Sequence, residues 1–480
     1  MLTDSARLLT QIEGSGQSSA ATGCQPRVLV IGGGFSGTMV AVQLARRDIP
    51  SILIDPSERP ARGIAYSTTL PNHCLNVRSG NMSALPHRPD DFASFTASRA
   101  ERPEAFASRK EYGDYLEQLL SPFVLDGTIM LARGRAERAR KLENGWHVTL
   151  GNGRTFSGQT LVLAIGNAPP APLVGTSSID KADLIDLFWN PNASSRLEIA
   201  AANNEPVLIV GTGLTMIDAL LSLTSAGHRG QVTAVSRRGL LPLAHSAPGP
   251  ARLAAPTLDD APRSLGNLVS WLRERADAEV DWRSAIDALR PLTQSIWERM
   301  EVATQRRFLR HGRAYWDVHR HRVAPAIHSY IVELRNQGRL RILAGKLIDS
   351  ERREDRYSLT IEPRRKGQLI EVDAGLVINC TGPLSSLRDN PDPLVIQMLS
   401  DELIQPDELE LGAKIDADDR LAGQANAYAI GPLTRGRYWE ITAVPDLRTK
   451  ADEIAATIMS KSKDLELELV SSPADQSSGV

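Results

Sequence analysis

Residues 27–56 read RVLVIGGGFSGTMVAVQLARRDIPSILIDP, and this stretch decides the fold. A short apolar run leads into three glycines, a segment with helical periodicity follows, and a second apolar run ends in an acidic residue. This order predicts a strand, a tight turn, a helix and a second strand. It is typical of the first half of a dinucleotide-binding α/β unit.

The glycines of this turn stand at the spacing that such a site needs. Gly32 permits the tight turn, Gly34 lets the backbone approach a pyrophosphate, and Gly37 lets the helix pack against the strand. Asp55 ends the next strand, where a carboxylate accepts hydrogen bonds from a ribose hydroxyl. The helix start also offers its unpaired N–H groups to phosphates. The residues assigned to this first site are Gly32, Gly34, Phe35, Ser36, Gly37 and Asp55.

Residues 206–238 repeat the pattern as PVLIVGTGLTMIDALLSLTSAGHRGQVTAVSRR. Met216 stands where glycine or alanine is usual, so we expect this helix to lie further from its strand. The next strand ends in Arg237 and Arg238 instead of an acid, which favours the 2′-phosphate of NADPH over NADH. The alternative is a solvated basic turn. The residues assigned to this second site are Gly211, Thr212, Gly213, Arg237 and Arg238.

Two dinucleotide sites on one chain indicate FAD together with NADPH or NADH. The first site, with its acidic residue, is predicted to hold FAD, and the second the electron donor. Residues 131–167 and 342–383 share one layout, in which alternating strands lead to a buried strand, TLVLAIG or GLVINCTG. We therefore predict an α/β fold with two nested Rossmann-like domains, the second inserted into the first.

Between the second glycine turn and its closing strands the chain changes character. Residues 250–338 open with a Pro/Ala-rich loop and continue with helical periodicity, four tryptophans and a cluster of arginines and histidines. We predict a helical insertion. The full set of predicted boundaries is a disordered tail over 1–26, an FAD-binding domain over 27–170 and 376–461, an NAD(P)H-binding domain over 205–249 and 339–375, the insertion over 250–338, and a disordered tail over 462–480.

Composition excludes several other classes of protein. The 480 residues carry 55 Lys and Arg against 57 Asp and Glu, and this balance argues against a dedicated nucleic-acid binder. No apolar run approaches the roughly 18 residues of a membrane-spanning helix. His319 and His321 form an HxH pair without a third ligand nearby, so no metal site is predicted.

The three cysteines, Cys24, Cys74 and Cys380, lie far apart and include no CxxC pair. They argue against a disulfide reductase of the thioredoxin-reductase kind. A sparse, odd number of cysteines fits a reducing compartment, so we predict a cytoplasmic protein.

Five stretches resemble a bacterial FAD/NAD(P)-binding flavoprotein family that includes urate hydroxylases and an aspartate N-monooxygenase that forms nitrosuccinate. They are GIAYSTTLPNHCLNVRSGNMSALPHRPDDFASF (63–95), SRKEYGDYL (108–116), YWDVHRHRVAP (315–325), INCTGP (378–383) and GPLTRGRYWEITAVPDLR (431–448). Together they span nearly the whole chain between the predicted tails. The resemblance implies a flavin-dependent monooxygenase that uses molecular oxygen and a small substrate.

The resemblance also implies further contacts with FAD. The family match covers three places that are expected to lie near FAD. The first is a loop beside the flavin, the second is the start of a helix, and the third is a turn and helix start close to the end of the chain. In that order the residues are His73, Asn76 and Met82; Arg109; and Gly431, Pro432 and Thr442.

The expected chemistry is oxygen transfer from a flavin C4a-hydroperoxide, protected in a dry site, to a small anionic metabolite. We predict urate as the substrate, hydroxylated to 5-hydroxyisourate in purine metabolism, because Tyr438, Trp439 and Trp316 could stack on it. The alternative is N-hydroxylation of an amino acid such as aspartate. An arginine clamp suits either anion. The substrate residues predicted are Arg320, Arg435, Arg437 and Trp439.

Two hypotheses from other classes remain at this point. The chain could be a flavin electron-transfer reductase that serves a quinone or a partner protein. It could also hold FAD as a structural or sensing ligand without turnover. Detection of a hydroperoxide after reduced protein is mixed with oxygen would separate a monooxygenase from an electron carrier.

Overall fold

The computed structural model describes residues 28–97, 105–247, 253–257, 259, 264–278 and 281–471. The predicted N-terminal tail, 1–26, lies outside the described residues. The last helix, Val444–Ser471, continues past residue 461, where we expected the folded chain to end. The rest of the predicted C-terminal tail, 472–480, lies outside the described residues. No helix in the described ranges is both long and apolar enough to cross a membrane.

Fifteen strands are numbered here in chain order among the described residues. They are β1 Val28–Ile31, β2 Ser51–Asp55, β3 Ile129–Arg133, β4 Ala136–Leu142, β5 Gly145–Leu150, β6 Thr155–Gly158, β7 Thr160–Leu163, β8 Leu184–Ile185, β9 Val207–Val210, β10 Val232–Ser236, β11 Leu340–Arg353, β12 Arg356–Pro363, β13 Ile370–Ala374, β14 Leu376–Asn379 and β15 Ala427–Ala429.

The helices of the described residues lie mainly between these strands. The α-helices are Phe35–Ala45, Gly63–Tyr66, Asp91–Ala97, Arg109–Leu125, Pro191–Ala202, Leu214–Ser225, Leu265–Ala278, Trp282–Leu289, Thr293–Arg299, Val302–Arg307, Arg313–Arg320, Pro325–Asn336, Pro393–Ser400 and Val444–Ser471. Single turns of 3-10 helix span Ser79–Asn81, Arg290–Leu292 and Gly431–Thr434, and a π-helical turn spans Phe308–Gly312.

The first sheet has the strand order β15-β7-β1-β2-β3, and all its strands are parallel. Its central strand β1 is VLVI, with every residue buried, as expected of a parallel strand covered on both faces. The carboxyl ends of parallel strands meet at one edge of the sheet. That edge therefore brings together the glycine turn after β1, Asp55 at the end of β2 and Gly431 after β15.

The second sheet has the order β13-β12-β11-β10-β9-β14-β8. Its strands β11, β10, β9, β14 and β8 are parallel, whereas β12 and β13 are antiparallel additions. Only the first five residues of β11 pair with β10, and its remaining residues project beyond the sheet as a ribbon with β12. These two sheets confirm the predicted α/β class with two Rossmann-like units.

The chain leaves the first sheet after β7, builds the second, and returns to place β15 beside β7. The outgoing and returning segments touch, since the Leu384 N–H donates to Pro169 O at 3.1 Å and the Asn379 side chain donates to Ala171 O at 2.9 Å. We propose the two sheets as the FAD-binding and NAD(P)H-binding domains. Residues 171–204, which the boundaries left unassigned, contribute β8 to the second sheet.

The helices between 265 and 320 form a unit around a small apolar core that includes Leu289, Ile296 and Trp316. The helix Pro325–Asn336 fell within the predicted insertion, yet it packs through Ile331 and Leu334 on the second sheet. A helix is needed there because β10 and β11 are parallel and require a crossover connection. We therefore propose that the insertion ends before Pro325.

Candidate functional site

The glycine turn after β1 leaves no room for side chains at two positions. Gly32 has φ +102°, and a Cβ there would overlap the carbonyl oxygen of Ala164. A Cβ at Gly37 would overlap the carbonyl oxygen of Gly32, so the helix lies directly on the turn. That helix begins at Gly34 without a side-chain cap, so its first N–H groups are available to an anion.

Asp55 is tied to this turn. Its Oδ2 accepts a hydrogen bond from the Gly33 N–H at 2.6 Å, and its Oδ1 accepts one from the Ser57 N–H at 2.8 Å. The carboxylate is therefore held at the mouth of the glycine turn. The Ser57 hydroxyl also donates to Oδ1, so Oδ2 is the oxygen with a lone pair to spare, which suits a ribose hydroxyl.

Two further glycines complete a backbone-lined cradle at this edge. Gly431 has φ +80°, and a Cβ there would lie 3.1 Å from Ser36 Oγ. A Cβ at Gly63 would lie 2.9 Å from the Cα of Gly34. Four backbone segments thus meet at this edge with too little room between them for side chains. Pro432 and Thr442 follow this cradle, Pro432 in the turn Gly431–Thr434 and Thr442 exposed just before the last helix.

The second glycine turn, after β9, has a similar backbone. Gly211 has φ +113°, and a Cβ there would overlap the carbonyl oxygen of Cys380. The helix Leu214–Ser225 begins at Gly213 without a side-chain cap, and nothing lies within 4 Å of a Cβ built there. The Thr212 hydroxyl is engaged with Ser236 Oγ, at 2.8 Å. Met216, which we expected to push this helix away, is fully buried in the second core.

The end of β10 faces a basic cleft that the sequence reasoning only half predicted. Arg237 lines it together with three other cations and one acid, namely Lys346, Arg364, Lys366 and Glu362. These four come from the ribbon that β11 and β12 form beyond β10. Arg238 instead lies over the ring of Tyr315, at 5.4 Å, and donates to Arg310 O at 3.3 Å. Arg237 is thus placed for a phosphate, whereas Arg238 is held against the helical insertion.

The loop expected beside the flavin also contacts the second unit. Met82 is buried in the first core, and Asn76 O pairs with His245 Nε2 at 3.0 Å. His73 Nε2 lies 3.1 Å from Asp218 O and 3.0 Å from Ser222 Oγ, both on the helix Leu214–Ser225. Burial lowers the pKa of His73 to about 4, and Arg109 lowers it further. His73 is therefore a neutral ring in an interface at physiological pH.

Arg109 likewise reaches the second unit. Its Nη1 lies 3.0 Å from Asp218 Oδ2, and both side chains are mostly buried. Burial raises the pKa of Asp218 to about 6, and the nearby Arg109 opposes that rise. The sequence reasoning missed Asp218, which stands in an apolar helix where only its charge sets it apart. The resemblance assigned His73 and Arg109 to FAD, and the structure shows both in contact with the helix that carries the second glycine turn.

Two of the three arginines predicted to clamp a substrate are paired with carboxylates. Arg320 Nε lies 3.1 Å from Glu440 Oε2, and both side chains are less than 10 % exposed, at 9 % and 7 %. Arg437 Nε lies 3.1 Å from Glu298 Oε1. Each therefore already has its counter-ion within the protein, so neither needs a substrate anion.

Arg435 differs from both. It is 8 % exposed, and its guanidinium donates a hydrogen bond to a neutral amide, Asn167 Oδ1, at 2.9 Å. Within the described ranges no carboxylate lies within ion-pair distance of it. Burial lowers the pKa of Arg435 to about 10, Arg313 lowers it further, and Asp317 raises it. A buried guanidinium without a counter-ion is a site that a bound anion would stabilise.

The aromatic residues predicted to stack on a substrate are used in packing. Trp439 is 5 % exposed and stacks on Trp297, with ring centroids 4.9 Å apart and planes at 26°. The Trp316 indole N–H donates to Glu440 Oε1. Tyr438 is buried and lies 4.4 Å from the Lys450 ammonium. Trp439 and Tyr438 are therefore largely enclosed by the protein, whereas Trp316 is only partly buried and, with Trp439, lines a small apolar cavity.

Glu440 was not singled out from the sequence, although it follows Trp439 directly. Its φ is +66°, a left-handed conformation that costs about 1–3 kcal/mol for a non-glycine residue. It receives the Trp316 N–H and the Arg320 guanidinium, and so joins the last glycine-rich turn to the insertion. These two buried contacts hold the insertion against the turn that follows β15.

Comparison with known proteins supports the fold. Residues 29–168 match the model of a family described as FAD-NAD(P)-binding. No curated protein matches the chain. Ornithine N-hydroxylase from Kutzneria sp. 744 is 15 % identical with a TM-score of 0.63, over 92 % of this chain and 100 % of that one. L-lysine 6-monooxygenase from Pseudomonas syringae is 16 % identical with a TM-score of 0.60, over 90 % and 99 %.

The same fold also carries other chemistry. Bacillithiol disulfide reductase from Staphylococcus aureus is 15 % identical with a TM-score of 0.55, over 92 % of this chain and 99 % of that one. At such identities the likeness shows a shared FAD/NAD(P)-binding fold. Differences between these proteins in substrate therefore depend on side chains around the fold, such as those described above.

Proposed function

We propose that this protein is an FAD-dependent, NAD(P)H-using monooxygenase that oxygenates the amino nitrogen of a small, carboxylate-bearing amino acid. The observation that carries the substrate half of this proposal is Arg435, a buried guanidinium without a carboxylate partner in the described part of the chain. The cofactor half is supported by the two uncapped glycine turns and by the match to an FAD-NAD(P)-binding family model.

The residues present fit both dinucleotides. For FAD they are Gly32, Gly34, Phe35, Ser36, Gly37, Asp55, Gly431 and Pro432, and for NADPH they are Gly211, Gly213 and Arg237. Bound FAD would accept a hydride from NADPH and activate oxygen for transfer of one atom. The chain's part is to hold the two cofactors in register, to exclude water and to orient the substrate.

Arg435 would bind the substrate carboxylate through charge-assisted hydrogen bonds. The overall reaction balances as amine, O₂, NADPH and H⁺ to hydroxylamine, H₂O and NADP⁺. The amine must lose its proton before its lone pair can attack oxygen.

N-hydroxylation of an amino acid is better supported than hydroxylation of urate. We expected urate because three aromatic residues could stack on a purine, but Trp439, Trp316 and Tyr438 are each engaged in packing or hydrogen bonding. Two solved structures that share the fold are named as N-hydroxylating or lysine-oxygenating enzymes, and neither name refers to a purine.

A substrate panel tests the proposal. The purified FAD-loaded protein is mixed with NADPH or NADH and with aspartate, glutamate, ornithine, lysine, urate or xanthine, while oxygen uptake and product mass are followed. The expected result is substrate-stimulated NADPH oxidation with one oxygen atom added to an amine. Stimulation by urate alone would contradict the proposal. NADPH oxidation that needs an added quinone and no oxygen would instead support the electron-transfer hypothesis.

Variants of Arg435 test its role. Arg435→Met should raise the KM of the carboxylate substrate about 10–150-fold, the loss of a hydrogen bond to a charged group of about 1.5–3 kcal/mol. Anaerobic flavin reduction by NADPH should stay close to wild type. Arg352→Met is the control for removing an arginine outside this turn, because Arg352 lies in β11 of the second sheet, is exposed and pairs with Asp180. An unchanged KM in Arg435→Met would remove Arg435 from the substrate site.

A further inference from the structure

One face of the helix Leu214–Ser225 is polar and docks on the first unit. Asp218, Ser222 and Ser225 lie four and three residues apart, which places them on the same side of the helix. These three side chains contact the first unit at the loop around residue 72 and at the helix that begins at Arg109. The rest of this helix is apolar and buried in the second core. The polar face is therefore an interface between the two dinucleotide-binding units.

The contacts across this interface are short and numerous. Arg109 Nη1 lies 3.0 Å from Asp218 Oδ2, with side-chain exposures of 14 % and 6 %. His73 Nε2 lies 3.0 Å from Ser222 Oγ, and Asn72 Nδ2 donates to Ser225 Oγ at 2.8 Å.

Arg109 and His73 also make further contacts that order this interface. The Arg109 N–H donates to His73 O at 2.8 Å. Trp189 covers them, with its ring 5.6 Å from the Arg109 guanidinium and 5.9 Å from the His73 ring. The interface is thus an ordered polar cluster and not an incidental contact.

The helix that carries this face also carries the second glycine turn. Its N-terminus is Gly213, and Asp218 stands five residues later, about 7–8 Å along the axis at 1.5 Å per residue. A helix this short moves as a rigid body. Any shift of Asp218 against Arg109 would therefore shift the N–H groups that receive the pyrophosphate of NADPH.

We propose that Arg109, His73 and Asp218 are positioning residues that set the second glycine turn at the distance from the FAD cradle that hydride transfer requires. This inference depends on the proposed use of FAD and NAD(P)H. None of the three residues needs to touch a cofactor for it. A buried ion pair suits such a role, because removing one partner leaves an uncompensated buried charge. The loss would therefore destabilise the arrangement of the two units that the pair holds.

Anaerobic stopped-flow reduction of the FAD-loaded protein by NADPH tests this proposal. In Asp218→Asn and Arg109→Met the limiting rate of flavin reduction should fall about 10–100-fold, since a displacement of about 1 Å can cost 10²-fold. The Kd of NADP⁺, measured by titration, should stay within about threefold of wild type, because the binding residues lie on the second unit itself. Arg109→Lys should recover part of the rate.

Arg196→Met is the matched control. Arg196 is 14 % exposed, like Arg109, and pairs with Asp183 and Glu205, but it lies within the second unit. It should lower stability without changing the limiting rate. Equal losses of rate in Arg196→Met and Asp218→Asn would overturn the proposal, as would an unchanged rate in Asp218→Asn.

Hydrogen exchange gives a readout that needs no turnover. Backbone amides of the helix Leu214–Ser225 should exchange faster in Asp218→Asn and Arg109→Met than in wild type. Should Asp218→Asn fail to fold, Asn72→Ala removes one contact at the same face and should accelerate exchange there. Unchanged exchange in the folded variants would overturn the positioning role. If neither NADPH nor NADH reduced the flavin of the wild-type protein, the proposed function would be wrong. The hydrogen-exchange data would still decide whether this face of the helix docks the two units.

Discussion

The two glycine turns are built on the same backbone and differ in what surrounds them. In the first, the helix touches the turn at Gly37, where a Cβ would overlap Gly32 O. In the second, Met216 occupies that position and is fully buried in the core. The strand that follows ends in Asp55 in one unit and in Arg237 in the other, beside a cleft with three more cations.

The difference shows how one unit is adapted to two ligands. A carboxylate held by the Gly33 N–H accepts a ribose hydroxyl but would repel a phosphate. A cleft with Arg237, Lys346, Arg364 and Lys366 against one acid, Glu362, attracts a phosphate. In the proposed function, the glycine turns would bind the pyrophosphate that both nucleotides share, and the residue at the end of the next strand would distinguish the nucleotides.

Alanine substitutions in the two turns should have the largest effects, and each should remove one cofactor. Gly32→Ala should abolish FAD binding, because its φ of +102° and the overlap with Ala164 O leave no place for a side chain. Gly211→Ala should retain FAD and lose NADPH binding, because its Cβ would overlap Cys380 O in the second unit only. Flavin absorbance of the purified protein and NADP⁺ titration measure the two outcomes.

Gly213→Ala is the control for these substitutions. Nothing lies within 4 Å of a Cβ at that position, so the fold should be unchanged and only the approach of the pyrophosphate impeded. Loss of FAD from Gly211→Ala would show that the two turns do not act separately.

The interface between the units should make stability depend on pH. Burial lowers the pKa of His73 from 6.5 to about 4, so its contribution to stability is present above pH 6.5 and is lost as the pH falls towards 4. Asp218 works in the opposite direction, because its pKa is raised from 3.8 to about 6 and its contribution is lost as the pH rises through 6. Cys380 and Arg109 are the other titratable groups that act on Asp218.

His73→Gln isolates the histidine contribution. Between pH 7 and pH 4.5 the free energy of unfolding of wild type should fall by about 2 kcal/mol more than that of the variant, at about 1.4 kcal/mol per unit of pKa. Urea unfolding of both proteins at the two pH values measures this difference. Parallel pH profiles would show that His73 is not a buried neutral ring.

Reversing the charge at Arg237 should change nucleotide preference. Arg237→Glu should lower kcat/KM for NADPH about 10–100-fold, because a charge-assisted contact with the 2′-phosphate is lost, and leave NADH little affected. Arg341→Glu is the control, since Arg341 is an exposed residue of β11 in the same unit. Steady-state or anaerobic reduction kinetics with both nucleotides measures the preference. Equal losses with NADPH and NADH would place the phosphate elsewhere.

Sequence was sufficient for the parts of the site that depend on local spacing. Both glycine turns, the acid at Asp55 and the base at Arg237 follow from residues within about 30 positions of one another, so a motif can show them. The basic cleft was only partly predictable. Lys346 and Arg364 reach Arg237 because β11 is longer than β10 and carries its ribbon beyond the sheet, which no motif encodes.

The substrate residues show why the rest was out of reach. Arg320, Arg435 and Arg437 look alike in sequence. Their difference depends on distant carboxylates, since Glu440 is 120 positions from Arg320 and Glu298 lies on the insertion. Only the folded chain shows that Arg435 is left with an amide partner. The same holds for Arg109, whose counter-ion Asp218 lies on the other unit.

Asp55→Asn gives the smallest expected effect and the finest test of the comparison. The amide keeps one acceptor oxygen, which can still receive the Gly33 N–H, so the turn should stay formed. A charge-assisted hydrogen bond to the ribose would be replaced by a neutral one, a loss of about 0.5–1.5 kcal/mol, and the Kd of FAD should rise about 2–12-fold. The Kd of NADP⁺ should not change, because Asp55 lies at the edge of the first sheet only. Equilibrium titration of the apoprotein with FAD measures the effect. A rise of 100-fold or more in the Kd of FAD would mean that the charge of Asp55, and not its hydrogen bond, discriminates ribose from phosphate in the first unit. The basic cleft of the second unit would then be the electrostatic counterpart of that charge.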